Sequence, residues 1–484
     1  MPANVIFRCD ASASIGAGHM MRCFALAETM ASFGFAPHLL AAPGSVEVLS
    51  AVGRSGFPVY ETTGSGADVA KKQIGAIRTA IVDGYGFDDE DEAALAEVAD
   101  TVIAFEDMPN RPHAAKLLVD PTPGRDAADY AGLVPVGARV LTGSAQAILR
   151  PVWRLARQSG RDPDATRIVV SMGATDSVNA TAKVIEAVKA SGVSSPVDIV
   201  LGAAAPHIAD VRSRLSDSMT LHIDASDMPL LLKHVMLAIG APGSSSFERA
   251  VLGIPSILVQ TADNQRDLAH AFDAAGAAWV SKVEALDDPE AFGAIIAALL
   301  ADVRARAAMS TAAASLCDGR GALRLLASLA GSVCTSSGST VQLRLAEAGD
   351  AAWLLELQRQ PETRRFARTT AAPTEAEHTA WYARLMDDPD RVLLIVESDG
   401  AAKGFVRLDR CPSDHGAVFE VSVAIDPASH GLGFGAAALR LARNFAPGAT
   451  FDATVFSANA ASEALFVKAG YRPVGPDLFR SLPN

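Results

Sequence analysis

The chain has 484 residues, 49% apolar and 20% charged, and its 42 basic and 55 acidic residues give a net charge of −13. At roughly 150 residues per domain, this length corresponds to about three domains. The apolar fraction excludes a mostly disordered chain, and the negative charge without a basic tract disfavours a nucleic-acid-binding protein. The apolar runs, such as Ala294–Ala301, are shorter than the stretch of about 20 residues that crosses a bilayer.

The first residues and the cysteines both favour a cytoplasmic protein. Arg8 and Asp10 stand where a signal peptide needs an apolar stretch, so we expect no export. The five cysteines form no Cys-x-x-Cys pair, which suits a reducing compartment and argues against a cysteine-based zinc site. We therefore predict a cytoplasmic location without membrane insertion.

Short strands alternate with helices at the start of the chain. The first such unit is the strand Val5–Arg8, a glycine turn and the helix Met20–Phe33, which ends at Gly34. Further strands are predicted at Thr79–Asp83, Thr101–Phe105 and Lys116–Val119. This alternation predicts a mostly parallel sheet with helices on both faces.

The same alternation restarts after the polar stretch Gln158–Arg167. Three strands and one helix are predicted there, at Ile168–Ser171, Thr181–Lys189 (the helix), Val197–Leu201 and Val235–Gly240. We therefore predict two α/β lobes, residues 1–157 and 158–330, with a crevice between them. Ligands in such sheets bind at the carboxyl ends of the strands.

The regular alternation of strands and helices ends at about residue 330. The segment 331–340 is small, polar and uncharged, which predicts a flexible linker. Beyond it, Asp399-Gly400 separates the strands Val392–Glu397 and Lys403–Asp409 in a hairpin pattern, and Phe419–Asp426 is a further strand. Residues 341–484 therefore form a predicted α+β domain.

The turn Gly16-Ala17-Gly18-His19 lies between the first strand and the first helix. Its glycines allow close backbone approach, and a helix amino terminus favours an anion. His19 sits where a strand ends in a cleft, and an imidazole with a pKa near 6.5 can act as a base at neutral pH. The alternative is that His19 only packs against the helix.

The wider string Arg8–Cys23 closely resembles the opening of the UDP-sugar hydrolases of pseudaminic acid biosynthesis. Further matches to that family stand at Asp83–Tyr85, Glu106-Asp107 with Asn110-Arg111, Gly173–Asp176, Gly240–Arg249 and Asp263–Gln265. The resemblance covers about residues 4–330 and implies the two-lobed fold of glycosyltransferase-B enzymes.

The resemblance also implies a reaction, in which water attacks the anomeric carbon and UDP leaves with inversion. His19 matches the proposed base, Tyr85 and Asn264 match sugar-site positions, and Asp10 either orients His19 or binds the sugar. The family mechanism requires no metal. The residues assigned to UDP-sugar binding are Gly16, Gly18, Gly173, Gly243, Ser244, Ser245, Glu248 and Gln265.

The second-lobe motif has a physical interpretation of its own. Gly243 permits a tight turn, and Ser244–Ser246 can begin a helix whose free amides face a pyrophosphate. Glu248 lies about one turn further, where its carboxylate can accept hydrogen bonds from ribose hydroxyls. The alternative is a serine-capped helix in which Glu248 only favours the dipole. Pro242 stands where the family more often has a glycine.

A second glycine loop, His430–Gly435, follows the strand Phe419–Asp426 and precedes the helical stretch Ala436–Asn444. Such a loop cradles an anion with backbone amides. It resembles motif A of the GCN5-related acetyltransferases, and Asn459–Tyr471 resembles motif B. The resemblance covers about residues 341–478 and implies acetyl-CoA as the acetyl donor. The residues that it assigns to acetyl-CoA are Val423, His430, Gly431, Gly433, Gly435, Asn459 and Phe466.

Motifs A and B depart from the usual acetyltransferase sequence at two positions. His430 replaces the usual arginine or glutamine, and Phe466 replaces a tyrosine that protonates the leaving thiolate in many members. Glu420 is a candidate base for the acceptor amine, with a solvated strand residue as the alternative. Asn459 fits a positioning role better than a catalytic one.

Together the resemblances predict a bifunctional enzyme of pseudaminic acid biosynthesis, a pathway that serves flagellin glycosylation. It would N-acetylate a UDP-4-amino-6-deoxy sugar and then release UDP and 2,4-diacetamido-2,4,6-trideoxy-L-altrose. Other enzymes of the pathway are candidate partners. Two alternatives stay open: a UDP-sugar glycosyltransferase fused to an acetyltransferase, or a silent sugar-binding module with a protein-modifying acetyltransferase.

Overall fold

The structure is a computed structural model that describes residues 3–12, 16–48, 50–414 and 416–483. Residues 13–15, which belong to the first hydrolase-like string, lie outside the described residues. The chain divides into two compact units. One contains Asn4–Glu28 and Pro37–Ala322, and the other contains Thr29–Ala36 and the chain from Leu323 onwards.

The first lobe of the larger unit is a seven-stranded sheet. Its strands are β1 (Ala3–Cys9), β2 (Phe35–Ala41), β3 (Val59–Glu61), β4 (Ile77–Asp83), β5 (Ala99–Phe105), β6 (Leu117–Asp120) and β7 (Arg139–Thr142). Its helices are α1 (Gly18–Ser32), α2 (Ser45–Val48), α3 (Ser50–Gly53), α4 (Ala67–Gln73) and α5 (Asp89–Ala96). The strand order is β3-β2-β1-β4-β5-β6-β7, and β1 runs parallel to β4. The ends of β1, β4 and β5 are runs of buried residues, as expected of strands covered on both faces.

The second lobe is a six-stranded, wholly parallel sheet. Its strands are β8 (Arg167–Ser171), β9 (Val197–Leu201), β10 (Met219–Ile223), β11 (Val235–Gly240), β12 (Ser256–Gln260) and β13 (Ala278–Lys282). Its helices are α6 (Val152–Ser159), α7 (Ala180–Ala190), α8 (Ile208–Ser213), α9 (Met228–Leu232), α10 (Ser244–Val251), α11 (Arg266–Ala274), α12 (Pro289–Ala301) and α13 (Val303–Leu316). Trp153 on α6 belongs to the core of this lobe, so the core begins before residue 158.

The strand orders place the predicted site motifs at two topological switch points. In the first lobe, β1 to β3 are added toward one edge of the sheet and β4 to β7 toward the other, so the switch point lies between β1 and β4. In the second lobe the corresponding switch point lies between β8 and β11. The glycine turn follows β1, and the Gly243 motif follows β11. Because the crevice of an open parallel sheet lies at the carboxyl ends of such strands, both motifs occupy ligand-binding positions. The predicted pair of glycosyltransferase-B-like lobes is therefore confirmed.

The smaller unit is built on an eight-stranded mixed sheet, which confirms the predicted α+β domain. Its strands are β14 (Ser332–Cys334), β15 (Thr340–Leu345), β16 (Arg391–Ser398), β17 (Ala401–Cys411), β18 (Val418–Ile425), β19 (Thr450–Thr454), β20 (Arg472–Gly475) and β21 (Leu478–Ser481). Its helices are α14 (Gly321–Leu329, which spans the division point), α15 (Ala351–Arg359), α16 (Pro361–Arg364), α17 (Glu375–Asp387), α18 (Phe434–Phe445) and α19 (Ala460–Lys468). The sheet order is β14-β15-β16-β17-β18-β19-β21-β20. The predicted Asp399-Gly400 turn joins β16 to β17 with positive φ at both residues. Within the described ranges, no helix combines the length and apolar character that a membrane crossing needs.

The predicted flexible linker at 331–340 is wrong. Strand β14 pairs antiparallel with β15, which makes this segment the first hairpin of the mixed sheet. Val333 and Val341 are buried and form a register pair, so the hairpin has its own apolar anchor. The Ser337 hydroxyl donates to the Leu432 carbonyl at 3.0 Å, which ties the hairpin turn to the second glycine loop. The side chains of β14 alternate between exposed and buried, but the small polar residues of the segment 331–340 give no alternation of apolar and polar types that would predict a strand.

Candidate functional site

His19 and Asp83 meet at the carboxyl ends of two neighbouring parallel strands. Cys9, at the end of β1, is in register with Asp83, at the end of β4, and α1 begins just before His19. His19 Nδ1 lies 2.7 Å from Asp83 Oδ1, and the two residues are only 9% and 0% exposed. Because a carboxylate accepts this hydrogen bond, Nδ1 carries the proton and the Nε2 lone pair of the neutral ring is free. The arrangement prepares His19 to take a proton.

Arg22 fixes the Asp83 carboxylate from the other side. Its Nε and Nη2 donate to the two Asp83 oxygens at 2.7 Å each, and its Nη1 donates to Asp107 Oδ1 at 2.8 Å. Burial alone raises the pKa of Asp83, but the charges and hydrogen bonds of Arg22 and His19 lower it further than burial raises it. Asp83 therefore stays ionised and holds the ring of His19 in one orientation.

The pKa of His19 is raised from its ordinary value of 6.5. Burial disfavours the imidazolium, but the charge and the hydrogen bond of Asp83 together outweigh that penalty. The free-base form of His19 consequently increases as the pH rises through a value above 6.5. A reaction that uses His19 as base must follow this rise.

Tyr85 lies beside His19 and is contacted by Asn264 from the other lobe. The Tyr85 ring meets the His19 ring edge-on, with centroids 4.6 Å apart. Tyr85 Oη donates to Asp107 Oδ2 at 3.2 Å, and Asn264 Nδ2 donates to Tyr85 Oη at 3.4 Å. The structure thus brings together three of the predicted catalytic residues across the crevice.

Asp83, and not Asp10, is the carboxylate that orients the ring of His19. The Asp10 carboxylate is held by the Arg8 guanidinium, with Nη2 to Oδ2 at 3.1 Å, and by the Ala42 amide at 2.6 Å. The orienting role predicted for Asp10 is therefore wrong, whereas its sugar contact stays a prediction. The sequence did not single out Asp83 and Arg22 as partners of His19. The signal for Asp83 was its place as the last residue of a strand at the switch point.

The amino terminus of α10 faces the first glycine turn across the crevice. A side chain at Gly18 would begin 3.9 Å from Ser244 Oγ. Gly243 caps α10 and offers no side chain to its first-turn amides, whereas Asp88, Asp288 and Asp302 cap α5, α12 and α13. The first-turn amides of α10 can therefore donate hydrogen bonds to an external anion. The pocket here is lined by Met21, Arg22, Ala25, Ile148, Leu149, Arg150, Ser244 and Glu248.

Glu248 lies half-buried in this pocket beside two arginines. Desolvation raises the pKa of Glu248 to about 7, against the opposing charges of Arg249 and Arg150 and a hydrogen bond from Trp153. Arg249 turns inward and donates to Ser245 Oγ at 3.2 Å. Glu248 is thus a carboxyl group whose charge changes near neutral pH.

Three other predicted positions have local roles. Gly16 has φ +83° and donates to the Ser12 carbonyl at 2.8 Å, and Gly173 has φ +107° in the turn after β8. Gln265 Oε1 accepts from the Thr261 amide at 2.8 Å, so its carbonyl end holds its own turn. Backbone shape accounts for the two glycines at these positions.

The second glycine loop lies where two parallel strands separate. Strand β18 pairs with β19 only from Val418↔Thr450 to Glu420↔Asp452, so the edge of β18 at Val423 is open on that side. Gly431 and Gly433 have φ +76° and +92°, and Gly433 caps α18 without a side-chain hydrogen bond. The loop amides and the open strand edge together can hold an extended ligand that ends in phosphates.

The remaining residues of the second site differ in their surroundings. His430 Nε2 lies 2.9 Å from the Ile425 carbonyl, and Asn459 Oδ1 caps α19 by accepting from the Ser462 amide at 3.1 Å. Phe466 is 5% exposed and packs edge-on against Tyr471, so it belongs to the domain core. Glu420 contacts the Arg368 guanidinium and accepts from Thr454 Oγ1 at 3.1 Å. Glu420 thus has two polar partners at a partly exposed position, and its role as a base stays a prediction.

Comparison with known proteins gives a separate result for each part of the chain. Residues 340–472 match the family model described as acetyltransferase (GNAT) domain. The N-terminal region is 25% identical over 236 positions to the UDP-2,4-diacetamido-2,4,6-trideoxy-beta-L-altropyranose hydrolase of Campylobacter jejuni, covering 47% of this chain and 81% of that protein. The spore coat polysaccharide biosynthesis protein SpsG of Bacillus subtilis is 27% identical over 198 residues, covering 40% and 58%. The chain is thus an enzyme that joins a region resembling a UDP-sugar hydrolase to a GNAT acetyltransferase domain.

Two solved structures are similar to separate parts of the chain. MurG of Acinetobacter baumannii covers 67% of this chain and 98% of its own, with 16% identity and a TM-score of 0.47. The GNAT domain of S. lividans PAT covers 31% and 93%, with 24% identity and a TM-score of 0.27. Among the described residues, no group of three or more His, Cys, Asp and Glu side chains forms a metal site.

Proposed function

We propose that this enzyme acts twice on one nucleotide sugar of pseudaminic acid biosynthesis. The GNAT domain acetylates the 4-amine of a UDP-4-amino-6-deoxy sugar, and the two-lobed region then hydrolyses the product to UDP and 2,4-diacetamido-2,4,6-trideoxy-L-altrose. The observation that carries the proposal is the buried His19–Asp83 pair, which lies across the crevice from the glycine-capped amino terminus of α10. The pathway supplies sugars that decorate flagellin or surface polysaccharide.

Hydrolysis needs one proton acceptor and one stabilised leaving group. His19 Nε2 takes a proton from water while the water oxygen bonds to the anomeric carbon from the face opposite UDP. The bond from that carbon to the diphosphate oxygen breaks, its electron pair stays on the diphosphate, and the configuration inverts. Asp83 stabilises the imidazolium, and the α10 amides stabilise the departing negative charge.

The residues around Val423 and Gly433 fit acetyl-CoA, which supplies an activated acetyl thioester. The open edge of β18 suits an extended amide chain, and the glycine-capped α18 suits a diphosphate. Glu420 accepts the proton of the sugar amine, directly or through water, as the amine bonds to the acetyl carbon and the thiolate leaves. Phe466 has no proton to give, so solvent or another group protonates the thiolate.

Product analysis tests the proposal. A panel of UDP-4-amino-6-deoxy sugars is incubated with acetyl-CoA, and the products are identified by mass spectrometry. We expect an acetylated nucleotide sugar first, and then UDP with a free diacetamido sugar. If the sugar appears instead on an added acceptor, the two-lobed region is a glycosyltransferase. If only peptide amines are acetylated, the domain is a protein modifier and the proposal fails.

A further inference from the structure

An arginine-rich segment lies beside the candidate base of the acetyltransferase domain. The segment Arg359–Arg368 contains four arginines and one glutamate, in a chain whose net charge is −13. We name it the arginine segment. It begins at the last residue of α15, includes α16 and precedes α17. A local excess of positive charge in an acidic protein indicates an anionic ligand.

Part of this charge has no acidic partner. Arg359 pairs with Glu356 at 3.2 Å, but in the described part of the chain no carboxylate lies within ion-pair distance of Arg364 or Arg365. Arg364 donates to Gln358 Oε1 at 2.8 Å and to the Thr369 carbonyl at 3.0 Å, which fixes the shape of the segment. The segment therefore keeps uncompensated positive charge on an ordered backbone.

Arg368 reaches the point where β18 and β19 separate. Its guanidinium contacts Glu420 and donates to Thr454 Oγ1 at 3.1 Å, and its side chain is 63% exposed. An exposed ion pair of this kind is weak, because water competes for both charges. A ligand with stronger negative charge can therefore take Arg368 away from Glu420.

We infer that Arg368 is the phosphate-binding residue of the acetyl-acceptor site, and that the acceptor is an amine which also carries a phosphate group. This inference rests on the proposed function. A guanidinium binds phosphate oxygens through two parallel N–H donors. When the acceptor diphosphate binds Arg368, the carboxylate of Glu420 is released to accept the amine proton. One contact thereby selects nucleotide-linked sugars and frees the base.

The test compares two acceptors: the UDP-linked 4-amino sugar and its uncharged methyl glycoside. Thiol release from saturating acetyl-CoA is measured for the native enzyme, Arg368→Gln, Arg368→Lys and the control Arg472→Gln. Arg472 is an exposed arginine on β20, away from the separation of β18 and β19. An unchanged KM for acetyl-CoA shows that each variant domain is folded.

For the UDP-linked sugar, Arg368→Gln should raise KM about tenfold, the effect of losing one charge-assisted contact. Arg368→Lys should recover part of that loss, and Arg472→Gln should change nothing. The methyl glycoside has no phosphate to draw Arg368 away from Glu420, so Arg368→Gln should acetylate it at least as fast as the native enzyme does. Equal losses on both acceptors, or no loss on either, would overturn the inference while leaving the proposed function intact. If the native enzyme acetylates neither acceptor, the proposed function and this inference both fail.

Discussion

At the scale of single residues, the proposed hydrolysis depends on the tautomer and charge of one imidazole. Asp83 accepts the hydrogen bond from His19 Nδ1 and is itself held by Arg22. The same carboxylate therefore sets the orientation of the ring and raises its pKa. These two effects can be separated by experiment, because one changes the maximal rate and the other changes its pH dependence.

His19→Ala should reduce UDP release by about 100- to 10,000-fold, the usual cost of losing a general base. Acetyl transfer should stay near the native rate, because no residue proposed for that reaction contacts His19. UDP release is measured with pre-acetylated substrate, and thiol release reports acetylation in the same preparation. A folded variant with nearly native UDP release would exclude His19 as the base.

Asp83→Asn should move the pH profile of hydrolysis to lower pH as well as slow the reaction. With the carboxylate gone, burial and the Arg22 charge both lower the pKa of His19, so the free base persists to lower pH. The measurement is kcat/KM for UDP release across the acidic and neutral range. A slower enzyme with an unmoved profile would mean that Asp83 does not control the charge of His19.

Glu248→Gln should remove a pH dependence of UDP binding. The pKa of Glu248 is raised to about 7, so its carboxylate is lost as the pH falls below that value. If the carboxylate accepts ribose hydroxyls, native UDP affinity falls over that range, while the Gln variant binds more weakly and changes less. Calorimetry at several pH values gives both curves. Parallel curves for the two proteins would place the ribose elsewhere.

Since the proposed contact of Glu248 with the ribose is remote from bond cleavage, we expect Glu248→Gln to change KM more than kcat.

At the scale of elements, the two proposed phosphate sites share one feature, a helix that begins after a glycine. Helices α10 and α18 both begin after a glycine cap, which leaves their first amides without an acceptor from the cap side chain. Helix α18 also has the hairpin turn behind it. A side chain at Gly433 would begin 2.9 Å from Ser336 Oγ and 3.1 Å from Ser336 N, and its φ is +92°. Substitution of Gly433 would therefore disturb the hairpin as well as the ligand site.

Gly431→Asp is the cleaner way to block the acetyl donor. A Cβ atom at Gly431 would meet no other atom of the described residues within 4 Å, and Asp and Asn tolerate its φ of +76° better than most residues. The Asp charge should weaken acetyl-CoA binding by about fivefold or more through repulsion of phosphates. The measurement is the KM for acetyl-CoA, and Gly431→Asn, which has the same shape without the charge, is the matched control. Equal effects of Asp and Asn would show that no phosphate lies near this loop.

At the scale of the whole molecule, the order of the two reactions becomes the question. The ordered β14–β15 hairpin removes the flexible tether that the composition of residues 331–340 predicts. For the proposed function, we therefore expect the order of the two reactions to come from the specificity of the hydrolytic site, since residues 331–340 form no flexible linker. A site that hydrogen-bonds an acetamido group loses binding when that group is absent.

The native enzyme should release UDP from the free 4-amino sugar about tenfold or more slowly than from its acetylated form. Adding acetyl-CoA should remove the difference after a lag in which the acetylated sugar accumulates. The time courses of thiol and UDP release are followed together. Equal rates of UDP release from both sugars without acetyl-CoA would show that hydrolysis does not wait for acetylation.

Local pattern in the sequence was sufficient for much of the architecture and for the location of both candidate sites. Strands such as Val235–Gly240, the Asp399-Gly400 turn and the two glycine loops are visible because each depends on neighbouring residues. The resemblance of ordered motifs indicated His19, Tyr85 and Asn264 as neighbours. These features follow from backbone shape and apolar periodicity within short segments.

The tertiary structure alone decided which partner each candidate catalytic group has. Asp83 stands 64 positions from His19 and reaches it because β1 and β4 pair in parallel, whereas the nearer Asp10 is held by Arg8 and Ala42. Arg368 lies 52 positions from Glu420 and contacts it because the loop between α16 and α17 packs beside β18. Strand pairing and the packing of loops determine such contacts, and no local pattern in the sequence carries that information.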